Sequence, residues 1–425
     1  MRALPPSSEF DFADVLRGGD HVAWPQGTGE PMGLTSRLVA QSDRLPKVTL
    51  VLGMVTSGTL DDIADGAFDY LCLNGASNTR KAAARSGNRI VPAHVSVIPR
   101  LFASRRIPVD VALIRVRPTD DPNVFSLGVV VDFVHEMVDA ARVVVAELDE
   151  RMPLTEQDAL IARDRITHLT LADGVEPFLY DPKPSAIDQA VADRVAALIP
   201  DRATVQFGVG GMPVAVCAAL RNHRGLGLHS GVIPDAAVDL IEAGIIDNSH
   251  KSIDRGVTVT GGLFGSRRLM DFAHNNPAIA MRRATYTHAA EVLIRINDFY
   301  TINSAIEIDL SGQVNSEMAG SRYVGAVGGQ IDYVRGAHLS QGGRSIIAMS
   351  STTPDQKHSK IVARLGRRPI TTARSDIDLV VTEFGVADLW GLDLRSRIKA
   401  LIEIAHPAFR DQLQRDFEDS LAENA

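Results

Sequence analysis

Four stretches in the first half of the chain, residues 48–52, 109–116, 127–134 and 142–148, are near-continuous apolar runs rich in valine and isoleucine. A strand covered on one face alternates apolar and polar residues, whereas a run that is apolar throughout needs cover on both faces. That requirement selects a parallel or mixed sheet flanked by helices. Turn-rich pieces such as Asn74-Gly75-Ala76-Ser77-Asn78 and residues 118–123 separate the runs. The second half repeats the alternation, with strands expected at 203–207, 257–260, 345–349 and 377–382.

A chain of 425 residues is too long for one ordinary core, so two α/β domains meeting at a cleft are expected. The break falls within 179–185, where Pro182 and Pro184 sit in a polar setting, giving domains over 1–182 and 183–425. Ser185 then starts a helix, with Asp188 placed to complete a capping box and Ile187, Val191, Val195 and Leu198 as its apolar stripe. Asp393 caps a closing helix whose expected buried face is Leu394, Ile398, Leu401 and Ile402.

Charge and cysteine usage exclude several functions. The formal net charge is −8 with no long basic run, which argues against nucleic acid or an anionic membrane surface as partner. No run approaches the roughly 20 apolar residues that cross a bilayer, and the N-terminus lacks the apolar core of a signal peptide. A cytoplasmic enzyme is expected. Cys72 and Cys217 lie far apart in apolar stretches, as buried thiols do, rather than as a disulfide or metal pair. The histidines are scattered without H-E-x-x-H spacing, so no metal site is expected. No Walker phosphate loop occurs either.

Three blocks carry candidate chemistry. In Gln206-Phe207-Gly208-Val209-Gly210-Gly211-Met212-Pro213 a strand runs into a glycine turn and then a helix. Such a turn lets backbone approach a ligand and offers free N–H groups to a negative oxygen; it lacks the third glycine of a dinucleotide fingerprint. A ligand-free strand–helix turn is an equally good reading of this block alone. The second block is Gly325-Ala326-Val327-Gly328-Gly329-Gln330-Ile331-Asp332-Tyr333, downstream of Asn303-Ser304-Ala305-Ile306-Glu307-Ile308-Asp309. Two glycine turns facing one pocket are a way to assemble an oxyanion site for a thioester carbonyl. The third runs from Asp378 to Leu389 and on to His406-Pro407-Ala408-Phe409.

Together these blocks, with Arg80-Lys81-Ala82 and Ser126-Leu127-Gly128-Val129 in the first half, resemble the acetyl-CoA hydrolase/transferase family and its 4-hydroxybutyrate and butyryl CoA-transferase branch. The resemblance implies the class I CoA-transferase fold, two open α/β domains with the CoA site at their junction. It implies that Gly208, Val209, Gly210, Gly211 and Met212 contact CoA, with an oxyanion donor near Val209 and Gly210, and that Ala305, Gly328 and Gly329 line the same site. Coenzyme A enters as substrate with no tightly bound cofactor. The partners are acyl-CoA and small carboxylates such as acetate, and the assembly a homodimer or homotetramer. In the family a glutamate attacks an acyl-CoA, passes through a mixed anhydride and becomes a glutamyl-CoA thioester that a second carboxylate reopens.

The chain departs from that pattern at one place. In the transferase branch the glutamate follows a His-Thr or His-Ser pair and precedes an aspartate by four residues. Here the segment reads His229-Ser230-Gly231-Val232-Ile233-Pro234-Asp235, so His229 and Asp235 are present and the nucleophile position is Gly231. Glycine has no side chain to form an anhydride or a thioester. Three readings follow: transfer through another carboxylate, with Asp235, Glu30, Glu307 and Glu317 as nominees; hydrolysis or another direct reaction in the space left by the glutamate; or binding of CoA esters without turnover. Each nominee also has a structural reading. Asp235 can begin a helix, Glu307 and Glu317 can pair with arginines, and His229 can serve as a hydrogen-bond partner. Restoring glutamate at 231 is expected to return transfer if the surrounding site is intact.

Overall fold

A computed structural model describes residues 4–61, 63–87, 89–173, 179–180 and 182–422. The apolar runs form two separate open sheets. In the first, strands Asp69–Cys72, Thr49–Leu52, His21–Ala23, Val111–Pro118, Val143–Leu148 and His168–Leu171 lie side by side and run parallel. Two short antiparallel strands, Val124–Ser126 and Leu160–Ala162, extend its rim. In the second, Ile279–Met281, Thr258–Leu263, Gly227–Ile233, Thr204–Phe207, Phe299–Asn303, Arg344–Ala348 and Leu379–Thr382 are parallel in that order, and Gly385–Asp388 closes the edge antiparallel. The central strands are buried at nearly every position, which is why their sequence does not alternate.

The helix caps form as their residues dictate. Ser185 accepts from the Asp188 N–H while the Asp188 carboxylate accepts from the Ser185 backbone, a complete capping box on helix Ala186–Ala196. Asp393 accepts from the Ser396 N–H at the start of helix Leu394–Glu403. Ile398 and Leu401 of that helix are buried, but Leu394 is 51% exposed, so its apolar face is narrower than expected. Cys72 and Cys217 are both free and buried, and burial pushes the Cys72 thiol up to about 12. No helix among the described residues is long and apolar enough to cross a membrane.

One expected strand is absent. Residues 127–134 form turns and run into helix Val134–Ala140 rather than extending as a strand. Gly128 and Asp132 both have positive φ, +65° and +25°, which breaks any extended ladder. The run is apolar for a different reason: it is laid against the second sheet. Val131 N–H donates to the Gly261 carbonyl at 2.8 Å, and Leu263 N–H donates to the Val129 carbonyl at 2.8 Å. Thr28 Oγ1 reaches the Leu263 carbonyl at 2.7 Å, and the Phe264 ring packs so closely on Gly27 that a Cβ there would lie 2.3 Å from it. These contacts join the two sheets at the ends of their strands.

Candidate active site

In the second sheet the chain orders its strands outward from Thr204–Phe207 in one direction, then starts again on the other side with Phe299–Asn303. The reversal leaves a crevice beyond the carboxyl ends of these two strands, the place where open α/β sheets hold ligands. A cavity of about 290 Å³ occupies it. Gln206, Phe207, Gly208 and Val209 line one wall, Asn303 and Ser304 another, and Ala326–Gln330 a third. The first sheet closes the cavity with Gln26, Met54, Asn74, Ala76, Val95 and Asp132.

The two glycine turns therefore share one cavity. Gly210, at φ +118°, ends the turn and caps helix Gly211–Ala219; an L side chain would be strained there. Gly208 N–H is spent on the Ile302 carbonyl at 3.2 Å, while the N–H groups of Val209 and Gly210 have no acceptor among the described residues. They are the free donors of a helix N-terminus. On the facing turn, the Gly328 carbonyl accepts from Val95 N–H at 3.1 Å, so a segment from the first half fixes the bend.

The residues proposed from sequence separate into groups. Gly208, Val209, Gly231, Gly328 and Gly329 line the cavity, and Gly210 lines a small recess beside it with Val209. Gly211 and Met212 lie in the first turn of the helix behind the turn, and neither lines the cavity. Ala305 opens instead into an adjoining groove of about 780 Å³, which also carries Lys357, Lys360 and Arg368. His229 is wholly buried one pleat before Gly231; its Nε2 lies 3.2 Å from the Thr287 carbonyl and burial pushes its pKa down to about 3. It does not line the cavity.

The nominated carboxylates are all occupied elsewhere. Asp235 accepts from Ser266 N–H at 2.6 Å, Ser266 Oγ at 2.8 Å and Leu269 N–H at 3.1 Å, tying its own helix to the start of helix Arg267–Ala273. Glu30 is held by the hydroxyls of Ser57, Thr59 and Thr35 at 2.6–2.8 Å. Glu307 pairs with Arg368 at 2.8 Å, and Glu317 accepts from Tyr323 and from Thr371 Oγ1. None of the four lines the cavity.

The space beside Gly231 is not vacant. A Cβ built on Gly231 would lie 2.7 Å from His288 Cε1 and 3.1 Å from Tyr333 Oη, and one on Gly329 would lie 2.6 Å from His288 Nε2. The His288 ring is thus wedged between two glycine backbones and packs on Tyr333 at 4.7 Å between centroids. Its Nδ1 lies 2.8 Å from Thr287 Oγ1, and burial pushes its pKa down to about 3, so the ring is neutral. Tyr333 Oη is buried without a hydrogen-bond partner among the described residues. The space beside Gly231, where the second of the three sequence readings would admit water or a different nucleophile, is taken by this imidazole.

The carboxylate that does line the cavity is Asp132, from the apolar run expected to be a strand. It is 2% exposed, and Gln26 Nε2 donates to its Oδ2 at 2.7 Å. Its Oδ1 has no partner among the described residues. Burial pushes its pKa up to about 7, against the lowering effect of the Gln26 bond. Asp132, His288 and Tyr333 are the titratable residues of the cavity wall. A lone acid inside an apolar run was the available sequence signal for Asp132; His288 and Tyr333 carried none.

Comparison with known proteins gives this geometry its context. The sequence matches the acetyl-CoA hydrolase/transferase N-terminal domain over residues 7–199 and the acetyl-CoA hydrolase/transferase C-terminal domain over 265–417. It is 37% identical over 406 residues to a 4-hydroxybutyrate coenzyme A transferase of Clostridium kluyveri, covering 95% of this chain and 94% of that protein. Among solved structures it is similar to RipA from Yersinia pestis (TM-score 0.88, 29% identity, 98% and 97% of the two chains). It is also similar to a 4-hydroxybutyrate CoA-transferase from Porphyromonas gingivalis (TM-score 0.81, 31% identity, 98% and 97%). With two parallel sheets joined at a crevice that both glycine turns line, and with both domains matched, this chain belongs to the acetyl-CoA hydrolase/transferase family of enzymes.

Proposed function

We propose that the protein binds a short-chain acyl-CoA with its thioester in the 290 Å³ cavity and moves CoA to a carboxylate acceptor such as acetate. One observation carries this reading. The unpaired N–H groups of Val209 and Gly210 stand on a turn that shares its cavity with Gly328 and Gly329. Donors held in fixed positions stabilise the oxyanion that forms when a thioester carbonyl is attacked. The cavity is small and its wall holds no lysine or arginine among the described residues, which suits an acyl group rather than the phosphates of CoA. Those suit the adjoining groove at Ala305, where Lys357 and Lys360 supply positive charge. The domains are taken as 1–182 and 183–425, and a homodimer or homotetramer in the cytoplasm fits the family.

Hydrolysis is the second reading, favoured by Gly231: without a carboxylate at that position, attack by water competes with covalent transfer. The test is to supply a panel of acyl-CoA esters with and without acetate and separate the products chromatographically. Acetyl-CoA formed only when acetate is present supports transfer. Free CoA released at the same rate without acetate supports hydrolysis. Binding with neither product would refute both and leave a CoA-ester-binding protein.

A further inference from the structure

We infer that Asp132 is the covalent nucleophile of this chain, standing in from the opposite sheet for the carboxylate that Gly231 cannot supply. The inference rests on the acyl-CoA reading above and names the residue through which it proceeds.

Four observations point to it. Among the described residues Asp132 is the cavity's one carboxylate, and the four acids that sequence spacing nominates are bound elsewhere. It lies close to the Gly231 backbone: a Cβ built on Gly261 would be 2.6 Å from Asp132 Oδ1 and 3.1 Å from the Gly231 carbonyl oxygen. Its surroundings leave it reactive. Gln26 holds one oxygen, and among the described residues the other is unpartnered and no cation stabilises the charge. A carboxylate stripped of solvent and given one hydrogen bond is more basic and more nucleophilic than one in water. Its φ of +25° is outside the ordinary basins of an L residue. Such strain persists where the surrounding structure enforces it, often at functional sites.

The chemistry balances without water or a redox partner. Asp132 Oδ1 adds to the thioester carbonyl carbon; the C–S bond breaks, CoA leaves as the thiolate, and the acyl group remains on Asp132 as a mixed anhydride. The thiolate then adds to the Asp132 carboxyl carbon and expels the acyl group as a carboxylate, leaving an aspartyl-CoA thioester. An incoming carboxylate runs the two steps in reverse. Val209 and Gly210 N–H groups receive the oxyanion in the attack on the substrate carbonyl.

The test uses the full-length protein. It is incubated with acyl-CoA and no acceptor, quenched with hydroxylamine, and the resulting hydroxamate is mapped by peptide mass spectrometry. The expected result is a hydroxamate on Asp132, formed without any substitution in the chain. Asp132→Asn should abolish it and lower CoA transfer roughly thousand-fold or more, while calorimetry shows CoA still bound. A hydroxamate on any other acid, or turnover with no adduct, overturns the role of Asp132 and leaves the acyl-CoA reading standing. No binding of CoA or acyl-CoA by the unmodified protein overturns both.

Discussion

Replacing Asp132 by Asn should stabilise the protein, and by an amount that grows with pH. Burial raises the Asp132 pKa from 3.8 to about 7. Below pH 3.8 the acid is protonated in folded and unfolded chains alike and contributes nothing to pH dependence. Between the two values the unfolded chain releases the proton and the folded one keeps it, so stability falls as pH rises. The loss is complete once the pH passes the folded value. The gap between 3.8 and about 7, at 1.36 kcal/mol per pH unit, amounts to about 4 kcal/mol. Of this, about 3 kcal/mol falls between pH 5 and pH 8. Asparagine has nearly the same shape, can accept from Gln26 through its carbonyl oxygen, and does not titrate. Urea unfolding of both proteins at pH 5, 6, 7 and 8 should therefore show the Asn variant gaining about 3 kcal/mol on its parent across the series. Parallel stability curves would refute the reasoning, since they would mean that the cavity solvates the carboxylate. A gain joined to loss of transfer would show an ionisable group kept in the core at a cost in stability for the sake of its chemistry.

Further outcomes follow from the same cavity. If ionised Asp132 is the attacking form, kcat/KM for acyl-CoA should rise with pH through about 7; the other titratable wall residues, His288 and Tyr333, are neutral there, one pushed down to about 3 and the other raised. Gln26→Leu removes the one bond that lowers the Asp132 pKa, so this limb should move to higher pH, read from the same profile. Gly231→Glu alone should cost roughly 1–3 kcal/mol by overpacking against His288 and gain no transfer, whereas combining it with His288→Ala frees the space; urea unfolding and the acetate-dependent assay check the two parts. Asp235→Ala should lower stability by about 1–2 kcal/mol through loss of its contacts to Ser266 and Leu269, measured by urea unfolding.

Most of the architecture was legible in local pattern. Runs buried on both faces mark parallel strands, and Ser185 with Asp188, or Asp393 alone, starts a helix through contacts made within one turn. The glycine turn at 208–210 was legible for the same reason, because strand, turn and helix follow one another along the chain. The exception at 127–134 is instructive. Its apolar content reported burial correctly, but burial under a neighbouring sheet looks the same in sequence as burial within one.

The sequence by itself determined that two α/β halves would form around parallel or mixed sheets, that two glycine turns would be available, and that position 231 lacks a side chain. The tertiary structure alone decided which groups meet there. Asp132 reaches the crevice because two sheets, one ending at Leu171 and the other beginning at Thr204, dock at their strand ends. His288 fills the space at Gly231 because a short helix folds back over that strand. Spacing rules see neighbours along the chain, and a site assembled from both sheets is set by docking, a long-range event that leaves only a buried acid in an apolar run as its trace.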